Sequence, residues 1–70
     1  MLEPSFKETL TPIQAQARIM QLRATLVPSK SVPGKAVYWI GPKKTWILAT
    51  PRGQSIVLGY YQMEKCPCED

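Results

Sequence analysis

The first sustained apolar period along the chain begins after Thr11-Pro12. At ~100° per residue, Ala15, Ile19, Leu22 and Leu26 fall on one stripe, and Ile13, Ala17, Met20 and Ala24 on a second, roughly opposite one. Gln14, Arg18, Gln21 and Thr25 separate the stripes on one side, Gln16 and Arg23 on the other. No Gly or Pro interrupts Ile13 to Leu26, and Ala, Gln, Arg, Met and Leu are good helix formers. Thr11 suits the N-cap, Pro12 the first helical position, and Pro28 closes the segment. The pattern predicts a helix over 12–26. A surface helix needs one apolar stripe. Two predict burial on both sides, one against the chain's own sheet and one against the N-terminal arm or a second protomer. The plainer alternative is that the alanines and Met20 serve as helix formers on a solvent face.

Beyond a Pro-punctuated connector at 27–35 (VPSKSVPGK) the period changes. Ala36–Ile40, Thr45–Thr50 and Ser55–Tyr61 are short runs rich in Val, Ile, Leu, Trp and Tyr. The turn signals Gly41-Pro42-Lys43-Lys44 and Pro51-Arg52-Gly53-Gln54 separate them. The expected fold is α+β, with one N-terminal helix packed on a three-stranded antiparallel β-meander (strands 36–40, 45–50 and 55–61). Residues 1–10 read as an irregular arm, 11–62 as one domain, and 63–70 as a charged tail.

Turn lengths suggest a register. With Ile40 opposite Thr45, Trp39 faces Trp46, Tyr38 faces Ile47 and Val37 faces Leu48. With Thr50 opposite Ser55, Leu48 faces Val57 and Trp46 faces Gly59. Alternation then sorts two faces. One carries Tyr38, Ile40, Ile47, Ala49, Ile56, Leu58 and Tyr60, a seat for Ile19, Leu22 and Leu26. The other carries Val37, Trp39, Trp46, Leu48, Val57 and Tyr61, with Gly59 leaving space beside an indole. That aromatic face needs a cover, whether Phe6 and Leu10 of the arm, a dimer seam, or a ligand.

Charge changes the picture further. The chain has 70 residues and a formal net charge of +4. All its acids (Glu3, Glu8, Glu64, Glu69 and Asp70) lie near the ends. The acid-free stretch between carries Arg18, Arg23, Lys30, Lys35, Lys43, Lys44 and Arg52. Uncompensated positive charge attracts polyanions, so the expected partner is a nucleic acid or an acidic protein surface. Ordinary solubility charge under folded-back acidic tails is the bland reading.

The chemistry that remains is narrow. With no histidine in the chain, neither Ser nor Cys has an imidazole to activate it. The terminal acids make a paired-carboxylate site improbable, and no phosphate-binding glycine loop is present. Ser29-Lys30-Ser31 imitates a Ser–Lys dyad but sits in the connector. The chain therefore reads as a non-enzyme that needs no cofactor and takes no small-molecule substrate. Cys66-Pro67-Cys68 supplies half a tetrahedral metal site, so Cys66 and Cys68 are weak candidate ligands. A disulfide is a second possibility, and free thiols in the tail a third. Two cysteines form no secreted disulfide framework, so a cytoplasmic setting is expected. No apolar run approaches the ~20 residues of a membrane span, and MLEPSFKETL has no signal-type apolar stretch.

Nucleic-acid signatures narrow the mode rather than the partner. Zinc-finger spacing, the aromatic-glycine motif of RNA-recognition sheets and a helix-turn-helix are all missing. Binding would use the sheet and loops. Lys30, Lys35, Lys43, Lys44 and Arg52 would meet phosphates, with Arg18 and Arg23 on the helix flank, and Trp39, Trp46 and Tyr61 would serve as stacking platforms. The same aromatics suit a protein-binding regulator or inhibitor of the phage or mobile-element sort, docked on a polymerase or nuclease. A homodimeric accessory subunit is the third expectation.

Overall fold

The computed structural model describes residues 3–67. It is an α+β fold, with one α-helix and a five-stranded antiparallel sheet among the described residues. The elements are β1 (Phe6–Leu10), α1 (Pro12–Gln21), β2 (Thr25–Leu26), β3 (Ala36–Ile40), β4 (Thr45–Arg52) and β5 (Ser55–Gln62). Their order across the sheet is β1-β5-β4-β3-β2. The expected meander is the centre of this sheet, and each of its edges gains a strand.

The arm is not irregular. Phe6 to Leu10 pairs with β5, Phe6 opposite Tyr60 and Leu10 opposite Ile56. Phe6, Glu8 and Leu10 face α1, while Lys7 and Thr9 take the other side. An unpaired β5 would expose a long row of backbone donors and acceptors, and β1 satisfies it.

α1 starts as predicted and stops early. Thr11 accepts a hydrogen bond from the Gln14 N–H at 3.2 Å, and the Gln14 side chain accepts one from the Thr11 N–H at 3.1 Å. This reciprocal pair is a capping box, with Pro12 at the first turn. The helix ends at Gln21, not Leu26. Arg23 takes a left-handed conformation (φ 56°). The Ala24 N–H then reaches the Ile19 carbonyl at 3.2 Å, and the Arg23 N–H reaches that of Met20 at 3.1 Å. Those bonds form a Schellman cap without the usual glycine. Thr25 and Leu26 are thereby released to pair with Trp39 and Tyr38.

The connector is held by Ser31, whose hydroxyl donates to the Val27 carbonyl (2.9 Å) and accepts from the Val37 N–H (3.0 Å). The β3–β4 register is the expected one, Trp39 opposite Trp46 and Ile40 opposite Thr45. The β4–β5 register differs by two residues. Arg52 faces Ser55 and Thr50 faces Val57, so the loop is only Gly53-Gln54. Gly53, at φ 62°, supplies the positive φ that a glycine-first two-residue hairpin requires. Pro51 is tolerated in a strand because β3 begins only opposite Ala49 and so has no residue beside Pro51 to ask it for an N–H. A two-residue shift leaves every side chain on its predicted face.

Two cores result. Against α1, Ile40, Ile47, Ala49 and Leu58 pack with Ala15, joined by Leu10, Ile19 and Leu22. Leu26, expected in this seat, lies on β2 and is 45% exposed. On the opposite face Val37, Trp46 and Cys66 form a smaller core with Val27, Trp39, Leu48, Tyr61 and Met63. Its cover is the tail (Met63, Cys66) and Val27. Phe6 and Leu10 lie on the other side of the sheet. The outer α1 stripe stays open in the chain, with Ile13 82% and Met20 70% exposed.

Candidate functional site

The seven cations singled out from the sequence do not form one patch. Arg18 lies on the α1 side and gives its guanidinium to Glu8 Oε2 at 3.0 Å. Arg23 caps the helix end, and Lys30 and Lys35 sit in the connector. Lys43 and Lys44 occupy the β3–β4 turn, while Arg52 stands at the far end of β4. Lys44 reaches Glu64 at 3.1 Å.

Trp39 and Trp46 are brought together, their ring centroids 4.6 Å apart at 42°. Trp46 is buried, and its Nε1–H donates to the Glu64 carbonyl at 3.3 Å, pinning the tail across the indole. Trp39 is half-buried. An accessible indole platform at Trp46 is thus replaced by a covered core. The tail is a lid, not solvated thiols. Cys66 is 4% exposed and disulfide-bonded. A disulfide-bonded Cys66 offers no thiolate to a metal. Among the described residues no group of His, Cys, Asp and Glu could hold a metal, and Cys68 lies outside them.

The uncovered half of that face holds the third stacking candidate. A hollow of about 280 Å³ is lined by Lys7, Leu48, Thr50, Pro51, Arg52, Val57, Gly59 and Tyr61. Its two charged residues are cations, Lys7 from β1 and Arg52 from β4. A Cβ at Gly59 would stand 3.3 Å from the Tyr61 ring. The missing side chain therefore makes room for Tyr61's own ring, not for an indole as the shifted register implied. Lys7 was missed because the arm was not read as a strand. Phe6-Lys7-Glu8-Thr9-Leu10 alternates correctly, but it is short and doubly charged.

On the α1 side, Glu8 Oε2 accepts from both Arg18 and the Tyr60 hydroxyl. The Glu8 side chain is 13% exposed. Burial raises the Tyr60 hydroxyl above the ordinary tyrosine pKa, and the hydrogen bond and charge of Glu8 raise it further, with Arg18 opposing. Phe6 leans on Tyr60 at 5.6 Å between centroids. A cleft of about 420 Å³ runs beside this network. A separate groove of about 490 Å³ lies between α1 and the connector.

No known protein family, curated protein or solved structure matches the chain. Among the described residues no helix is long and apolar enough to cross a membrane.

Proposed function

We propose that the chain is a small, basic, non-enzymatic binding protein that takes single-stranded nucleic acid on the open half of the sheet face opposite α1. The observation carrying this reading is the hollow that Tyr61 shares with Lys7 and Arg52, with no acid in its lining. An aromatic ring on a sheet offers every base a stacking partner, and flanking cations track the backbone. Lys43 and Lys44, in the turn at the other end of β4, extend the track.

Fluorescence anisotropy with a labelled oligothymidylate tests it. With about four phosphate contacts at a slope of ~0.7 each, affinity should fall roughly 50-fold between ~50 and ~200 mM salt. Tyr61→Ala should weaken binding about tenfold at fixed salt, within the range of one lost base stack. Replacing Lys7 and Arg52 together by alanine should flatten the salt slope by about 1.4. Undetectable or salt-independent binding to both single and double strands overturns the reading. So does a protein captured from nuclease-treated lysate and lost in Tyr61→Ala, which would give the surface to an acidic protein.

A second reading rests on the other side of the molecule. Among the described residues Ile13 and Met20 are the most exposed of the large apolar side chains, and with Ala17 between them the stripe carries no charge. Two copies of a chain of net charge +4 can meet there without apposing cations, and we propose a homodimer through this stripe. Sedimentation should give a dimer that Met20→Glu converts to a monomer. A wild-type chain that stays monomeric as its concentration rises removes the idea.

A further inference from the structure

We propose that the cleft between β1, α1 and the Lys43 turn binds a small organic carboxylate with a flat apolar body. The cleft is assembled from distant parts of the chain: Phe6 and Glu8 on β1, Arg18 on α1 with Leu22 at its C-cap, Lys43 in the β3–β4 turn and Tyr60 on β5. Its volume, about 420 Å³, falls in the range of ligand sites, which are mostly apolar with a few convergent polar groups. Here Phe6, Leu22 and Ile40 are the apolar surface. Phe6 is 57% exposed even though its ring lies against Tyr60.

The polar groups select the charge of the ligand. Glu8 is engaged, since Oε2 accepts from Arg18 and Tyr60 together. That network holds Arg18 across the cleft and cancels its charge. Lys43 is the remaining charge in the lining, and its ammonium makes no ion pair with any described residue. The turn backbone beneath it is fixed by Thr45, whose hydroxyl donates to the Lys43 carbonyl at 2.9 Å while the residue itself is 5% exposed. A carboxylate at Lys43, with the Gln62 amide and Ser5 hydroxyl as further donors in the lining, makes the charge-assisted contacts that a neutral ligand cannot. The sequence predicts no small-molecule substrate because it holds no catalytic constellation and no phosphate loop, and a cleft gathered from five elements leaves no motif of its own. The two readings share only Lys43: Tyr61, Lys7 and Arg52, which carry the nucleic-acid reading, line the hollow on the opposite face, so Tyr61→Ala should leave naphthoate binding unchanged.

The test is a calorimetric titration with 2-naphthoate and its uncharged analogue 2-naphthalenemethanol. The expected result is saturable 1:1 binding of naphthoate, with the alcohol about tenfold weaker, as one charge-assisted contact implies. Lys43→Ala should abolish the difference between the two probes. Phe6→Ala should weaken both. Val32→Ser, in the groove beyond α1, should change neither. Absence of saturable binding, equal affinity for the two probes, or a Lys43→Ala variant that still discriminates overturns the proposal. So does a Val32→Ser loss as large as that of Phe6→Ala, which would place the probes in the other groove. Lys43 is exposed in a turn, so its variant tests binding without threatening the fold.

Discussion

Trp46→Ala is expected to cost about 3–5 kcal/mol, the range for deleting a large buried aromatic. The side chain is 8% exposed and packs with Val37, Cys66 and Trp39. Its Nε1–H also holds the Glu64 carbonyl, so truncation empties the smaller core and unpins its cover together. A domain of this size has little reserve, with total stabilities often near ~5 kcal/mol. The variant should therefore be largely unfolded at room temperature by circular dichroism, or melt at a much lower urea concentration. Trp46→Phe keeps most of the ring and loses only the N–H, and should recover more than half of the deficit. Trp39→Ala, at a half-buried position, should cost clearly less than Trp46→Ala. Equal losses at the two positions would mean that the tail does not seal the sheet as described.

Glu8→Ala should be the second most damaging change, at about 2–3 kcal/mol, because it leaves two donors without their shared acceptor. Arg18 is 42% exposed and can turn to water. The greater share of the loss therefore falls on the Tyr60 hydroxyl. Glu8→Gln retains an acceptor and should lose less. The same network gives the fold an alkaline limit. Folding holds Tyr60 protonated above the ordinary tyrosine value of 10.0, so the folded state binds more protons than the unfolded one there. Stability should be flat below that pH and fall above it. Spectrophotometric titration should show one phenol ionising late. In Glu8→Ala that late component should move towards the ordinary value, since the carboxylate is one of its causes. A titration indistinguishable from wild type would sever Glu8 from Tyr60.

The places where sequence and structure agree have strong local chemistry. Thr11-Pro12 with Gln14 announces the start of α1, and the Trp39/Trp46 pairing follows from a four-residue turn between alternating runs. The end of α1 was illegible because its left-handed cap is Arg23, which resembles any other helical arginine. β1 was illegible because a five-residue strand flanked by prolines and carrying Lys7 and Glu8 gains its stability only from β5. The register of β5 is hidden in the sequence because Pro51 has the chemistry of a turn residue, and only a strand edge makes it acceptable. The candidate surfaces follow the same logic. Tyr61 was named from alternation, whereas Lys7, Glu8 and Tyr60 acquire their roles through pairing across the sheet.

The position of β1 beside β5 has a kinetic corollary. The β3–β4 and β4–β5 hairpins close short loops, and such elements form on the microsecond scale, about 1–10 μs. β1 must instead bring Phe6 to Tyr60 across nearly the whole chain, and that closure is entropically costly until the hairpins already offer it an edge. The Glu8–Arg18 pair is local, ten residues apart, but its link to Tyr60 spans the chain and should form late. The cleft beside Phe6 and Tyr60 is walled by both ends of the chain, so it should be complete only once β1 has docked on β5.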